Sequence, residues 1–246
     1  MTLLKLVERM RNTLDDKGGT NGDWTDSSIQ SRLRWTNEEL IGYINEAERE
    51  TAIRTHELID AETSEVCQID VVTGTHTYEI HNKIITIERA KLLTGLRPLS
   101  ETSWKDIEAV RPDWETATGT PEYYMRDWQK GKIRLYPIPI ADGTLNLNVY
   151  RLPLDDMELD SWDADEPEID AQYQDKMLSW GMHLAYQKDE PNTLDPDKVM
   201  FYLQKFESEV GPSVNMYSIE RRKKKNRQTG YGGIRQTTGG SSNRMR

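Results

Sequence analysis

Apolar positions in residues 2–16 recur at helical spacing. Leu3, Leu6, Val7, Met10 and Leu14 fall on one face, with Lys5, Glu8, Arg9 and Arg11 on the other. The pattern predicts an amphipathic helix with its apolar face in a core. Gly and Asn in DDKGGTNGDWTDSS then break it. A second, longer helix is predicted over 36–59. Thr36 is a candidate N-cap and Glu39 stands three residues on, the spacing of a capping box. Leu40, Ile41, Ile44, Ala47, Thr51 and Leu58 form its stripe, and Glu46, Glu48, Arg49 and Glu50 are expected to face water.

The period then shortens. In VCQIDVV, Cys67, Ile69 and Val71 alternate with Gln68 and Asp70, which predicts a strand with Cys67 in its core face. Further strands are predicted over 77–80, 84–93, 122–128, 132–136 and 145–150, from alternation or from β-branched and aromatic content. Turn signals at 73–75, 81–83, 129–131 and 141–143 separate them. This reads as an antiparallel meander interrupted by a short helix over 103–110. Helical spacing returns over 166–188 with Ile169, Tyr173, Met177, Trp180 and Leu184, and Asp165 is expected near the cap. Asp195-Pro196 opens a last helix with Val199, Leu203, Phe206 and Val210 on its face, and Gly211-Pro212 stops it.

The expected fold class is therefore α+β. A helical bundle of about four long helices (1–64 and 154–212) holds an inserted antiparallel β-rich module (65–153), followed by an extended, flexible basic C-terminal tail (213–246).

Charge sharpens this picture. The net charge is −10, from 42 acids against 32 bases. Residues 217–246 hold nine Lys/Arg and one acid, Glu220, a charge of +8, so residues 1–216 carry −18. The tail has five glycines and almost nothing apolar to bury, so it is expected to order only on a partner. Arg221, Arg222, Lys223, Lys224, Lys225 and Arg227 suit phosphates or an acidic protein groove equally, and a merely solubilising tail is the competing reading. A body at −18 repels a DNA backbone, which argues against a DNA reader and suits a wall that DNA slides past.

Residues 155–170 place nine acids in sixteen positions. Asp156, Glu158 and Asp160 have the first spacings of a calcium loop, but Ser161 stands where its glycine belongs and Pro167 where its glutamate belongs. A solvated face, or an acidic channel or interface loop of Asp155, Asp156, Glu158, Asp160, Asp163 and Asp165, is the better reading.

Catalytic chemistry is not legible. There is no GxxxxGK[ST], no GxGxxG after a strand, no HExxH and no GxSxG. His56, His76, His81 and His183 are scattered, and no cofactor or metal is expected. One cysteine excludes an internal disulfide and a multi-cysteine zinc site. No run approaches the roughly 18 apolar residues of a membrane span, and the first residues carry charges inside their apolar run, unlike a signal peptide. The simplest class is a soluble protein made in a reducing compartment. The tryptophans are expected to supply core and interface bulk: Trp35 and Trp180 suit packing, while Trp24, Trp104, Trp114, Trp128 and Trp162 sit near element ends.

Several segments together resemble the head–tail adaptor (connector) proteins of tailed phages. WTNEELIGYINEAERETAIRTHELI (35–59) is similar to that family's second helix, with Leu40, Tyr43, Ile44, Asn45 and Ala47 on its core pattern. GTPEYYMRD (119–127), IRLYPIP (133–139) and VYRLPLD (149–155) resemble its β-module signature, and PEIDAQYQDKMLSWGMHLAY (167–186) its next helix. The resemblance covers residues 1–212. It implies a structural virion protein without enzymatic activity, made in the host cytoplasm and placed in the neck. It further implies a ring of twelve copies beneath the portal protein, extending the channel for genomic double-stranded DNA. That DNA passes without sequence-specific binding, and the ring offers a platform to a tail nozzle or tail-tube protein. The C-terminal tail would dock on the portal, with Tyr217 and Tyr231 as anchors beside the basic cluster and Arg235. The alternative is a nucleic-acid-binding protein that grips with the tail. A tail enzyme such as a glycan hydrolase has only the tryptophans and the acidic loop in its favour.

Overall fold

A computed structural model describes residues 1–17, 24, 32–190 and 193–213. Residues Met1–Gly211 form one compact unit and Pro212–Arg246 a second. The candidate docking residues from Tyr217 to Arg235 lie outside the described residues.

The first unit is α+β, and its main helices follow the periodicities. Helix α1 (Leu3–Leu14) buries Leu3, Leu6, Val7, Met10 and Leu14, and ends at Asp15 in the left-handed region (φ 52°). Helix α2 (Asn37–Thr55) opens on the expected capping box: Glu39 N–H donates to Thr36 Oγ1 and Thr36 N–H to the Glu39 carboxylate. It stops at Thr55, before Leu58, because His56 takes a left-handed φ of 52°. Helix α5 (Ala171–Tyr186) starts five residues later than its apolar spacing suggested, with Asp170 at the N-cap and Asp165 well outside it. Pro167 and the apolar Ile169 are buried in the approach to the helix, which extended the helical signal. Helix α6 (Pro196–Glu209) opens as expected, with Asp195 accepting from the Lys198 N–H and proline at its first position.

Helices α1, α2 and α5 share one apolar core. Met10 lies against Gly181 on α5, where an added Cβ would stand 3.2 Å from the methionine methyl, so a side chain there would make the tip of Met10 shift by a few tenths of an ångström. Helix α6 adds the fully buried Phe206 against Trp180, beneath the Arg54 guanidinium. A buried polar cluster fastens the end of α1 to the start of α2. Arg11, with no exposed surface, donates to the Asp16 carboxylate, the Trp35 carbonyl and Asn37 Oδ1. Asp16 in turn accepts from the backbone N–H groups of Arg34 and Trp35. Burial lowers the Arg11 pKa and the Asp16 charge opposes that shift. Trp35, expected in the core, is 1% exposed and donates its indole N–H to the Ala185 carbonyl.

Between α2 and α5 lie ten strands, two short α-helices and two 3-10 turns. Strands β2 (Gln68–Val71), β3 (Thr77–Glu79), β4 (Ile84–Leu92), β7 (Tyr123–Met125), β8 (Lys132–Tyr136) and β10 (Gly143–Arg151) fall on predicted runs. The two-residue strands β1 (Ile59–Asp60), β5 (Ser100–Glu101), β6 (Thr118–Gly119) and β9 (Ile138–Pro139) are too short to show a period. Cys67 is buried as expected but ends a one-turn helix, α3 (Ser64–Cys67), rather than starting β2. Helix α4 (Trp104–Val110) matches the expected short helix, with Ser103 as its cap.

The strands do not form a simple meander. Strand β10 is the hub of the first sheet and pairs antiparallel with β4 along its length. Strands β1 and β2 pair with opposite ends of β10. The second sheet runs β3-β8-β7-β5, with β5 parallel to β7, and β6 pairs parallel with β9. Partners so distant in sequence, such as β4 and β10, are chosen by packing: Leu145, Leu147 and Val149 of β10 bury against Ile87, Ala90 and Leu92 of β4 in one core.

Candidate functional site: the acidic segment

Residues 154–170 connect β10 to α5 as an irregular strap with one 3-10 turn, Leu159–Ser161. Its carboxylates divide into two sets. Asp155, Asp156, Glu158, Asp160 and Asp163 are exposed, whereas Asp165 is half-buried and turned onto the strap itself. Asp165 accepts from Ser161 Oγ at 2.6 Å and from the Glu158 N–H at 3.0 Å, which holds its carboxyl below the usual carboxylate range. Asp165 thus caps the loop, not α5. Asp156 reaches Arg49 at 3.5 Å, an exposed and therefore weak pair. The remaining exposed four have no side-chain partner among the described residues.

The strap is pinned from beneath. Asn45 brackets Met157 from both sides: its Nδ2 donates to the Met157 carbonyl at 2.9 Å and its Oδ1 accepts the Met157 N–H at 3.1 Å. The first N–H groups of α1 donate into the strap, Leu3 to the Asp165 carbonyl and Leu4 to that of Trp162. They are donors that a helix start otherwise leaves unpaired, and Thr2 offers them no side-chain cap. The Trp162 ring meets Trp24 edge-on at 5.6 Å.

Two acids of the α2 side hold the far end. Glu48 is 2% exposed, contrary to the expected solvent-facing position. It lies in phase with Ile44 and Thr51, so the helix turns it inward, and its Oε1 accepts the Glu168 N–H at 2.7 Å. Burial pushes its pKa up to about 7, against the hydrogen bonds from Glu168 and Ile169. Glu57 accepts the Asp170 N–H at 3.3 Å, and burial with the Asp170 carboxylate pushes it up to about 6.

An ion-pair network ties the strap to the sheet. Arg151 donates to Asp60 at 2.7 Å and to Glu168 at 2.6 Å, and Glu168 also accepts the Leu154 N–H. Burial alone would raise the Asp60 pKa, but donors from Thr63, Arg151 and Glu62 hold it far below the usual range. Burial, with the Asp60 carboxylate 3.4 Å from the sulfur, pushes the Cys67 thiol up to about 12, the opposite of an activated nucleophile. Among the described residues no three His, Cys, Asp or Glu side chains are grouped to hold a metal ion. Nor is any described helix long and apolar enough to cross a membrane. The site presents exposed carboxylates held on a pinned segment.

Sequence reasoning named the exposed carboxylates and missed their supports, Asn45, Glu48, Glu57 and Arg151. The signal for Glu48 was present: a carboxylate in phase with an apolar stripe.

The helical core thus carries an acidic strap held in place by buried polar contacts. The family model for SU10 adaptor protein matches residues 1–229. The chain belongs to that family of phage head–tail adaptors, structural components of the virion neck. No curated protein sequence matches it.

Proposed function

We propose that this chain forms a ring of twelve copies beneath the portal. The ring extends the DNA channel and carries a tail nozzle or tail-tube protein on its other face. In this reading four long helices make a bundle (1–64 and 154–212), the β module (65–153) is its insertion, and the basic tail from 213 onward docks on the portal. The observation that carries the reading is the family match, which runs past the folded unit and through Arg221–Arg227 to residue 229. The charge distribution supports it. A wall at −18 over residues 1–216 lets DNA pass without adhering, and a tail at +8 suits an acidic groove on a partner. A weak contact repeated round a ring gains avidity. The acidic strap lies along the channel or between subunits.

Deletion of 217–246 tests the docking. The truncated chain should keep its circular dichroism and melting temperature but lose portal binding at least about ten-fold. Unchanged affinity would contradict the tail assignment. Loss of DNA binding with portal binding intact would favour the nucleic-acid reading.

A further inference from the structure

We infer that a groove on the outer face of the first sheet seats the acidic strap of a second copy of this chain, an inference that rests on the ring reading. The groove, about 280 Å³, is lined by Arg89, Lys91, Asn146 and Asn148, with Ala61, Leu93 and Leu147 completing it. The β4–β10 register builds it, setting Arg89 opposite Asn148 and Lys91 opposite Asn146, while the alternate residues Leu145, Leu147 and Val149 point into the core. Three observations define the occupant. Arg89 and Lys91 have no carboxylate partner among the described residues, although residues 1–216 carry −18. The Asn148 side-chain oxygen is buried and has no hydrogen-bond donor among the described residues, so it takes one from an incoming segment once its amide turns outward. A phosphate would meet the cations but has no N–H to offer that oxygen, whereas an acidic peptide segment brings both carboxylates and backbone N–H groups. The volume lies just under the roughly 300–1,000 Å³ of small-molecule sites.

The chain itself holds a segment of that chemistry. Asp155, Glu158, Asp160 and Asp163 are exposed and unpartnered among the described residues, on a strap that Asn45 and the α1 start already fix. A pre-ordered segment loses little entropy on docking. Groove and strap are different patches, so their contact is heterologous, the kind that closes into rings. Local attraction is also what subunits of like net charge need in order to lie side by side.

Charge exchange in the full-length chain, assembled on the portal and sized by mass photometry, tests this. Arg89→Glu/Lys91→Glu should weaken ring formation at least about ten-fold, and Glu158→Lys/Asp160→Lys should do the same. Mixing the two variants should restore rings, because alternating copies again set opposite charges against each other, and misfolded chains would not recover on mixing. Rings that survive either reversal, or variants that do not recover on mixing while wild-type rings form, overturn the groove assignment and leave the ring standing. No wild-type oligomer on the portal overturns the ring reading and this interface with it. A DNA duplex that binds the wild-type chain and is lost only with Arg89→Glu/Lys91→Glu would overturn the inference in favour of nucleic acid.

Discussion

Glu48 shows what a single residue costs and provides. Its carboxylate is buried on the α2 face that meets the strap and takes the Glu168 N–H. Its pKa stands at about 7 against 4.5 for an ordinary glutamate, chiefly through burial. Folding thus favours the protonated form. The stability tied to this group is full below pH 4.5 and is lost as pH rises through 7. Glu48→Gln keeps a carbonyl for the Glu168 N–H and removes the charge. It should stabilise the chain by about 1–3 kcal/mol at pH 8 and leave it unchanged near pH 4. Thermal melts at the two pH values check this, and equal shifts at both would contradict it. Arg11 is the opposite case, a buried cation whose two terminal nitrogens bond Asp16, the Trp35 carbonyl and Asn37, so it fixes the α1–α2 junction.

At the scale of elements, the strap is rigid because others hold it. Asn45→Ala removes both bonds to the Met157 backbone and leaves a buried N–H and C=O unpaired, at a cost of about 1–3 kcal/mol. Limited proteolysis within 155–165 should speed up in the variant, while the α2 capping box keeps the helix start intact. Cleavage at the wild-type rate would show that the strap is held elsewhere. Elements set by local physics were legible in the sequence: the α1 stripe, the Thr36–Glu39 box, the Asp195-Pro196 start and the short helix over 103–110 all rest on signals within a few residues of what they control. Strand order was not, because β10 chooses β4, β2 and β1 by burial across long stretches of chain, as far as Ile59 from Tyr150. The start of α5 was misjudged because Ile169 is buried ahead of the helix, and its apolar character reads the same in either setting. The exposed acids of the strap were legible as composition. The inward turn of Asp165 and the groove residues Arg89 and Lys91 needed the folded backbone.

For the whole molecule, the segregation of charge is the main fact: −18 on residues 1–216 and +8 on the last thirty. Within the acidic part, the structure fixes a strap of exposed carboxylates at one site and a small cationic groove at another. Such a surface suits the proposed ring, in which copies lie side by side round a DNA channel and the basic tail meets a partner. The most direct test is quantitative mass spectrometry of purified virions, counting copies of this chain against the portal protein. The account predicts one copy per portal subunit. Absence of the chain from the particle would contradict it.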